Sequence, residues 1–443
     1  MAAGIGLGIS MGWAYIKKAL GPTVDSIFAI LQGRSSFFEN EASSKAQAQV
    51  IDTAGVLDKA SILVTPTAYS TGKLNAVLPS SSPFGDFNKG GGTNATRINS
   101  SGIVEDIISS YPRIDYEGSD TGVLCEYQTT NYLRYSESIS SGSGSPWGAN
   151  GMGSSPILMT LPNGSMGYTN NNYVYGGSGG FTQTISAIVN RGVGVSVWAF
   201  NPETTAHNIT LGVYGWNNTP GTFSLPPGVW TRCKFVTQAT STSSYTGIFI
   251  NLAPGKNTRV WGAQLEQSQF LTRKGVVTSY IPTTSTALTR TAELLVGQVN
   301  ASQINSEEGV FLFEAKMTNS GTNEFINLIG TGGISTNSLS MYGNSGGNTS
   351  ARMIVGGAQQ YFPLGGAASK LVYNKFAIKW DGTTLKTFAN GALVGNVSQN
   401  NSFAAGVLNQ IHLSTGQRFA GKIKMLAVFN EALTDAEVIA ITT

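Results

Sequence analysis

Short runs of alternating apolar and polar residues, separated by turns rich in glycine, asparagine and proline, recur from about residue 119 to the end of the chain. Successive side chains of a β-strand point to opposite faces, so these runs predict strands that bury one face. Short strands at this spacing are typical of antiparallel sandwiches. We therefore predict a mainly β protein, with two antiparallel β-sandwich (jelly-roll) domains after a small, partly helical N-terminal anchor.

The alternation also assigns side chains to faces. In "RVWGAQLE" (259–266) it places Trp261, Ala263 and Leu265 on one face of a strand. After residue 290 a second series of strands follows, in which the dipeptides at 381–382 ("DG") and 390–391 ("NG") predict hairpin turns. Between the two series lies "TSYIPTTST" (278–286), here called the strap. Threonine favours extended backbone, so we expect the strap to cross the surface of the first sandwich.

The composition suits such a fold. Glycine accounts for 55 of the 443 residues, whereas charged residues make up only 12%, about half of the ~25% typical of soluble chains. The net charge is +3 and no basic block stands out, so nucleic-acid binding has no support. The two cysteines, Cys125 and Cys233, are too few for a disulfide framework, and the sequence leaves open whether they form one bridge or stay free thiols.

Helical character is clearest within the first 60 residues. The segment 21–33 brings Ile27, Phe28 and Leu31 onto one helical face, and a second short helix is predicted after it. Near the C-terminus, Thr434 and Glu437 form the capping-box pattern of a last short helix. These features divide the chain into an N-terminal attachment segment (1–60), an extended connector (61–118), a jelly roll (119–289) and a C-terminal sandwich (290–443).

The N-terminal segment is predicted to attach the chain to a larger assembly. Residues 1–16 carry no charge, yet this stretch falls short of the ~20 residues that span a bilayer and lacks the pattern of a signal peptide. We expect Trp13, Tyr15, Ile27, Phe28 and Leu31 to be buried against a partner protein. Membrane contact and a segment without fixed packing are the alternatives.

Three segments resemble motifs of bacteriophage tail-fibre, head-fibre and spike proteins. They are "GGTNATRINSSGIVEDI" (91–107), "YPRIDYEGSDTGVLCEYQTTNYLRYSE" (111–137) and "VWGAQLEQSQFLTRKGVVTSYIPTTSTALTRTAE" (260–293). In that family they bracket a carbohydrate-binding-module-like jelly roll. The sequence departs from the family pattern at Cys125 and Tyr127, where Leu and Pro are usual. The resemblance implies a protein of the virion surface that forms homotrimers and meets other virion proteins through its N-terminus.

The C-terminal sandwich resembles the concanavalin A-like, laminin-G-type lectin/glucanase superfamily. The resemblance rests on "YNKFAIKWDGTTLKTFANGALVG" (373–395) and "QRFAGKIKMLAVFNEALTDAEVIAI" (417–441). In that family the first segment is a hairpin, and the second is the closing strand followed by a short helix. The match covers about residues 305–443 and implies the fold more strongly than an activity.

The sequence gives little support for catalysis. Polysaccharide hydrolysis needs two carboxylates across a cleft, and the Glu-x-Asp-x-x-Glu pattern of the glucanase branch does not occur. The nearest acidic pairs, at 105/106, 115/117 and 307/308, lack that setting. We therefore predict no enzyme, no catalytic residue and no required cofactor. Calcium is an alternative at Asp381, Asn390 and Asn430, although the first two suit hairpin turns better.

Glycan binding normally uses exposed aromatic rings together with amide, carboxylate and guanidinium groups. Eight aromatic residues are candidates: Trp147, Tyr173, Tyr175, Tyr214, Trp216, Trp230, Tyr342 and Tyr361. Most aromatic residues fill cores, so we favour those in turn-rich stretches. The predicted glycan-binding residues are Trp216, Tyr214, Asn217 and Tyr342.

Together these observations predict a phage virion fibre or spike that adheres to host surface glycans. Three alternatives stay open at this point. The chain could be an architectural vertex or decoration protein, a polysaccharide depolymerase, or a secreted cellular adhesin. The sequence does not specify the glycan, the host, or attachment to head or tail.

Overall fold

The computed structural model describes residues 23–79, 86–118, 121–140, 145–150, 152–174, 179–186, 191–214, 219–237, 245–271, 277–300, 302–317, 326–343, 349–363, 372–398, 402–415 and 421–443. The first part holds the helices α1 (Val24–Arg34) and α2 (Glu41–Thr53) and a 3-10 turn (Leu57–Lys59). Its strands are β1 (Phe37–Phe38), β2 (Ala60–Val64), β3 (Ala68–Ser70), β4 (Lys73–Leu74), β5 (Phe87–Gly91), β6 (Ala95–Ile98), β7 (Val104–Ile107), β8 (Ile114–Asp115) and β9 (Gly122–Cys125).

The middle part consists of strands. They are β10 (Thr129–Asn131), β11 (Gly148–Asn150), β12 (Met152–Thr160), β13 (Met166–Val174), β14 (Gly179–Ser186), β15 (Arg191–Phe200), β16 (His207–Tyr214), β17 (Gly221–Leu225), β18 (Trp230–Thr237), β19 (Tyr245–Leu252), β20 (Asn257–Leu271) and β21 (Leu288–Arg290). The last part holds β22 (Glu293–Gln298), β23 (Gly309–Met317), β24 (Asn327–Gly330), β25 (Ser338–Gly343), β26 (Thr349–Val355), β27 (Ala358–Pro363), β28 (Asn374–Trp380), β29 (Thr384–Ala389), β30 (Ala392–Ser398), β31 (Leu408–Thr415), β32 (Gly421–Phe429) and the helix α3 (Asp435–Thr442).

The C-terminal sandwich is built from two sheets. One has the order β1-β3-β4-β5-β22-β31-β24-β25-β26-β27, and the other runs β30-β29-β28-β23-β32-β9-β8 with β2 also paired to β32. Phe311 and Phe313 of β23 point into the core between the sheets. Val310 and Leu312, on the opposite face, pack in a second core that also holds buried residues of the three helices. Both faces of β23 are therefore buried, which explains its unbroken apolar run.

The stretch 61–118 differs from the predicted extended connector, because its strands complete the C-terminal sandwich. β2 pairs with β32 over Ala60–Val64, and β5 pairs with β22 over Phe87–Gly91. Phe87 and Ile62 are fully buried in the core of that sandwich. The sequence pattern identifies short strands here, but it does not identify partners that lie hundreds of residues away.

The jelly roll is inserted into the C-terminal sandwich. The strand before it, β9, and the strand after it, β22, both belong to sheets of that sandwich. The two connections lie side by side, because β10 pairs with β21 and the Glu293 N–H donates to the Glu126 carbonyl oxygen at 3.0 Å. The predicted boundary near residue 119 therefore falls too early, since β9 at 122–125 is part of the sandwich that encloses the insertion.

Two five-stranded sheets form the jelly roll itself. Their orders are β11-β14-β19-β16-β17 and β12-β13-β20-β15-β18. Val193, Val195, Val197 and Ala199 of β15 point into the core between the two sheets, as their alternation predicts. The other face of the second sheet, which carries Trp198 and Phe200, is called the outer face below.

A β-bulge corrects one predicted face. β15 and β20 shift register between the pairs Ser196↔Gln264 and Trp198↔Trp261, at the point where Gly262 has φ +65°. The extra residue reverses the alternation, so Ala263 and Leu265 pack in the inner core whereas Trp261 lies in the outer-face cluster. The prediction that Trp261 shares a face with them is wrong.

Several local predictions are confirmed. The helix α1 forms within the segment predicted to be helical, and the hydroxyl of Thr434 accepts a hydrogen bond from the Glu437 N–H in a capping box. The "NG" turn at 390–391 joins β29 to β30, with both residues at positive φ. The two cysteines are buried free thiols, which settles the alternative that the sequence left open. Within the described ranges, no helix has the length and apolar character needed to cross a membrane.

Candidate functional site

A row of three side chains crosses the outer face of the jelly roll. Phe200 of β15 is paired with Trp230 of β18 on one side and with Arg259 of β20 on the other. Paired residues of antiparallel strands project from the same face, so the three side chains lie next to one another. We call Phe200, Trp230 and Arg259 the aromatic–arginine row.

The two rings of the row pack together and remain partly open to solvent. The Phe200 and Trp230 ring centroids are 5.4 Å apart, and the Trp230 indole N–H donates to the Thr160 carbonyl oxygen at 3.0 Å. All three members of the row are half-buried. Beside Trp230, Val229 and Met166 are 52% and 62% exposed, so the row has an apolar rim.

Arg259 is held in place but makes no ion pair among the described residues. Its guanidinium lies 5.3 Å from the Phe200 ring centroid, and Nη1 lies 3.2 Å from the Met159 sulfur. Its Nε atom is buried without a hydrogen-bond partner. Burial lowers the pKa of Arg259. The row therefore offers two ring surfaces and a guanidinium whose hydrogen-bonding capacity is largely unused.

Part of the outer face is covered by the strap. The Trp261 and Tyr280 rings pack with centroids 5.1 Å apart. The Gln264 side chain donates to the Ser279 carbonyl oxygen at 3.1 Å and accepts from the Ile281 N–H at 2.7 Å. The strap thus crosses the sandwich surface as predicted. It leaves the aromatic–arginine row partly open to solvent.

Where the two sandwiches meet, a cluster of buried charges fixes the junction. Its members, here called the junction cluster, are Arg113, Glu126, Arg290 and Glu293. Arg113 donates to Glu126 at 2.8 Å and also pairs with Glu293, while Arg290 lies 2.9 Å from Glu126. Their side chains are at most 2% exposed. All four belong to the motifs that resemble phage fibres, so in this chain those motifs build the junction between domains.

The junction cluster makes stability depend on pH. Burial alone raises the pKa of Glu126, but Arg290, Arg113 and hydrogen bonds from Ser279 outweigh it and lower that pKa from 4.5 to about 2. An acid with a depressed folded-state pKa stabilises the fold fully above its unfolded value and loses this contribution as pH falls through the folded value. We expect the free energy of unfolding to fall between pH 4.5 and 2.

The variant Glu126→Gln tests this dependence, since it removes the titrating group. Urea unfolding followed by circular dichroism at several pH values should show a shallower decrease in the variant than in the wild type. Glu431→Gln is a suitable control, because that side chain is 52% exposed. Equal slopes for wild type and Glu126→Gln would show that Glu126 does not contribute.

The side chains of the predicted glycan-binding residues lie outside the described part of the chain. Trp216 and Asn217 lie outside the described residues. Tyr214 ends β16 and Tyr342 belongs to β25, and their side chains also lie outside the description. Among the other aromatic candidates, Trp147 is buried, Tyr361 is 50% exposed and Trp230 belongs to the row.

Three of the five predicted anchoring residues are buried within the chain, and the other two lie outside the described residues. Trp13 and Tyr15 lie outside the described residues. Ile27, Phe28 and Leu31 are at most 1% exposed and pack in the core shared by the helices and the C-terminal sandwich. The chain's own strands therefore bury these three side chains, which the sequence assigned to a partner because its periodicity does not identify what covers a face.

The calcium candidates serve as structural side chains. The Asp381 carboxylate accepts hydrogen bonds from the backbone N–H groups of Thr383 and Thr384 at 3.0 and 2.6 Å. Asn390 accepts from the Lys375 N–H, and the Asn430 amide donates to the Ser302 carbonyl oxygen. The described residues contain no cluster of three or more His, Cys, Asp or Glu that could hold a metal ion.

Three carboxylates of the acidic pairs that the sequence singled out are likewise tied to cations. Glu105 pairs with Arg97 at 2.5 Å, Asp115 with Lys422 at 2.5 Å, and Glu117 with Lys234 at 2.5 Å. The sequence did not single out Glu126 and Glu293, whose carboxylates approach the same arginine, but both are sealed from solvent. A sugar cannot reach those two carboxylates in this arrangement.

A second polar row lies on the C-terminal sandwich. Asn327 is paired with His412 and Ser340, Ser340 with Arg352, and Arg352 with Tyr361. The Asn327 amide and the Ser340 hydroxyl are fully buried without a hydrogen-bond partner. Buried polar groups of this kind are normally satisfied by a water molecule or a ligand hydroxyl. Their burial makes this row less accessible than the aromatic–arginine row.

Two of the three members of the aromatic–arginine row are not evident from the sequence. Trp230 was one of eight aromatic candidates, but Phe200 and Arg259 were not singled out. The alternation in β15 does place Phe200 on the face opposite the core. Only the register of three strands, which are distant in sequence, shows that these residues are neighbours.

Comparison with known proteins identifies the family of one domain. A family model described as the concanavalin A-like lectin/glucanases superfamily matches residues 299–439. No curated protein matches the chain. The match agrees with the resemblance seen in the sequence, but it covers less than half of the chain.

Several solved structures are similar to part of the chain. A CBM40 module of the Ruminococcus gnavus IT-sialidase, bound to α2,3-sialyllactose, is 25% identical; the alignment covers 31% of this chain and 83% of that one, with a TM-score of 0.27. A heptameric SAP-like pentraxin from Limulus polyphemus is 16% identical over 32% and 71% of the two chains, with a TM-score of 0.27. Domain 4 of AbnA, a GH43 arabinanase from Geobacillus stearothermophilus, is 16% identical over 34% and 73%, with a TM-score of 0.28.

Proposed function

We propose that the chain is a non-catalytic protein of a phage virion surface that adheres to glycans on the host. The aromatic–arginine row carries the proposal. Aromatic walls with a few well-placed polar groups are typical of small-ligand sites. The apolar face of a sugar can pack on the Phe200 and Trp230 rings, and its oxygen atoms can accept hydrogen bonds from Arg259.

Two further observations support this function. The match of residues 299–439 to a lectin/glucanase family favours a carbohydrate ligand. The resemblance of residues 111–137 and 260–293 to fibre and spike motifs favours a virion setting. A homotrimer is part of the proposal, since three linked sites convert weak single-site binding into tight adhesion. Sedimentation of the purified chain tests that oligomeric state.

The test is binding of the full chain to bacterial cells and to an array of bacterial surface polysaccharides. Saturable binding that is lost after periodate oxidation of the glycans is expected. Release of reducing sugar by the chain would instead indicate a depolymerase. A folded chain that binds no polysaccharide would favour the architectural role.

The variants Phe200→Ala and Trp230→Ala locate the site. We expect each to weaken glycan binding roughly tenfold, because each removes apolar surface that a sugar would cover. Trp230→Phe, which keeps a ring, should retain most of the affinity. Tyr361→Ala is the matched control, since Tyr361 is an exposed ring on the other sandwich.

Surface plasmon resonance on immobilised polysaccharide measures these affinities, and near-ultraviolet circular dichroism checks the fold. If Tyr361→Ala weakens glycan binding whereas Phe200→Ala and Trp230→Ala do not, the glycan site lies on the C-terminal sandwich instead.

A further inference from the structure

We infer that the aromatic–arginine row takes an acidic sugar, whose carboxylate is held by Arg259. The inference rests on the proposed function and adds the chemical class of the ligand. It starts from the charge of Arg259, which the surrounding described residues leave uncompensated.

Arg259 differs from four other partly or fully buried arginines of the chain. Arg34, Arg97, Arg113 and Arg290 each lie within 3.0 Å of a carboxylate oxygen. Arg259 has no such partner in the described part of the chain, and its Nη1 contact is to a sulfur atom, a weak acceptor. A half-buried cation without an anion is costly, because burial removes hydration that a ring face and a sulfur atom replace only in part.

The neighbouring cation on the same face shows the contrast. Arg232, one row further in, donates to the Thr278 carbonyl oxygen at 2.9 Å and to the Ser196 hydroxyl at 3.2 Å. The strap and β15 therefore each accept a hydrogen bond from the Arg232 guanidinium, although its Nε atom has no partner. The strap does not provide equivalent acceptors for Arg259, so acceptors for its guanidinium must come from outside the described part of the chain.

A carboxylate matches this requirement better than a hydroxyl. The guanidinium presents parallel N–H groups, and a carboxylate can accept two of them at once. The Phe200 ring lies beside the guanidinium, so one ligand can contact both. A uronic acid combines an apolar ring face with a carboxylate on the same ring, which fits the two surfaces together.

The experiment measures binding of the full chain to an array of uronate-bearing oligosaccharides and to the same oligosaccharides after reduction of their carboxyl groups. Neutral and sulfated oligosaccharides complete the array. Wild type should bind uronate-bearing oligosaccharides, and it should not bind the same oligosaccharides after their carboxyl groups have been reduced. Arg259→Gln should bind them roughly 10- to 100-fold more weakly, the range expected for losing a charge-assisted hydrogen-bond pair.

Two further variants separate the local contact from overall charge. Arg134→Gln removes one positive charge from an exposed position of the same domain and should bind like wild type. Arg259→Lys keeps the positive charge but loses the parallel N–H donors of the guanidinium. Its affinity for the uronate oligosaccharides should therefore lie between those of wild type and Arg259→Gln. If Arg259→Gln and Arg134→Gln weaken binding of the uronate oligosaccharides equally, the inference is overturned.

The outcomes also separate this inference from the proposed function. Binding that survives carboxyl reduction, or that is confined to neutral or sulfated sugars, overturns the carboxylate assignment and leaves glycan adhesion standing. Binding to no oligosaccharide and no polysaccharide by a folded chain overturns both.

Discussion

A fragment that begins at residue 110 is expected not to fold, although it contains every residue of both predicted sandwiches. It lacks α1, α2 and strands β1 to β7, of which β2 and β5 pair with β32 and β22. Leu312 and Phe429 pack in a core that would lose the buried side chains of α1 and α2. Exposing a large apolar side chain costs about 1.5–3 kcal/mol, so several together are comparable to the ~5–15 kcal/mol by which domains are stable.

The matched variant removes more residues but should fold. It replaces residues 128–291, the inserted jelly roll, with a short Gly–Ser linker. The two cut ends are adjacent, because Glu126 and Glu293 are joined by a backbone hydrogen bond of 3.0 Å. Solubility and near-ultraviolet circular dichroism show whether each of the two proteins folds. A soluble, cooperatively unfolding fragment 110–443 would show that the N-terminal strands are dispensable.

The second large effect is expected from Arg113→Met. This variant leaves the Glu126 and Glu293 carboxylates buried without their shared partner. Arg290 still pairs with Glu126, and Lys89 still lies 3.7 Å from Glu293, but both carboxylates lose the hydrogen bonds of the guanidinium. Breaking a buried ion pair in this way typically costs ~3–5 kcal/mol. The free energy of unfolding, obtained from urea titration at pH 7, should fall by about that amount.

Lys45→Met provides the control for Arg113→Met. Lys45 pairs with Asp25 and Glu41 at the surface, and exposed pairs are worth ~1 kcal/mol or less. Arg113→Met should therefore be several times more destabilising than Lys45→Met. If the free energy of unfolding falls by a similar small amount in both variants, water enters the junction and replaces the arginine.

The two effects have a common origin in the insertion. A domain connected through two adjacent strands needs a junction that fixes its orientation, and buried paired charges can supply one. Besides the junction cluster, the hairpin β6–β7 contacts the inserted jelly roll. Thr96 donates to the Tyr280 carbonyl oxygen at 2.6 Å, and Val104 packs with Trp261. The strap and the hairpin therefore hold the outer face from both sides.

Sequence alone determined those features that depend on neighbours along the chain. Alternation in β15 placed Val195 and Val197 in a core, because side-chain direction in a strand follows from local backbone geometry. The turn at Asn390 and the cap at Thr434 follow from the same kind of short-range chemistry. The mainly β class and the family of residues 299–439 were recognisable for this reason.

Tertiary structure alone decided which distant segments pair. Nothing local indicates that residues 87–91 pair with 293–298, or that the jelly roll is an insertion. The bulge at Gly262 reversed a predicted face, and the aromatic–arginine row exists only because three strands share one register. Strand pairing is set by the packing of whole sheets, which a window of neighbouring residues does not contain.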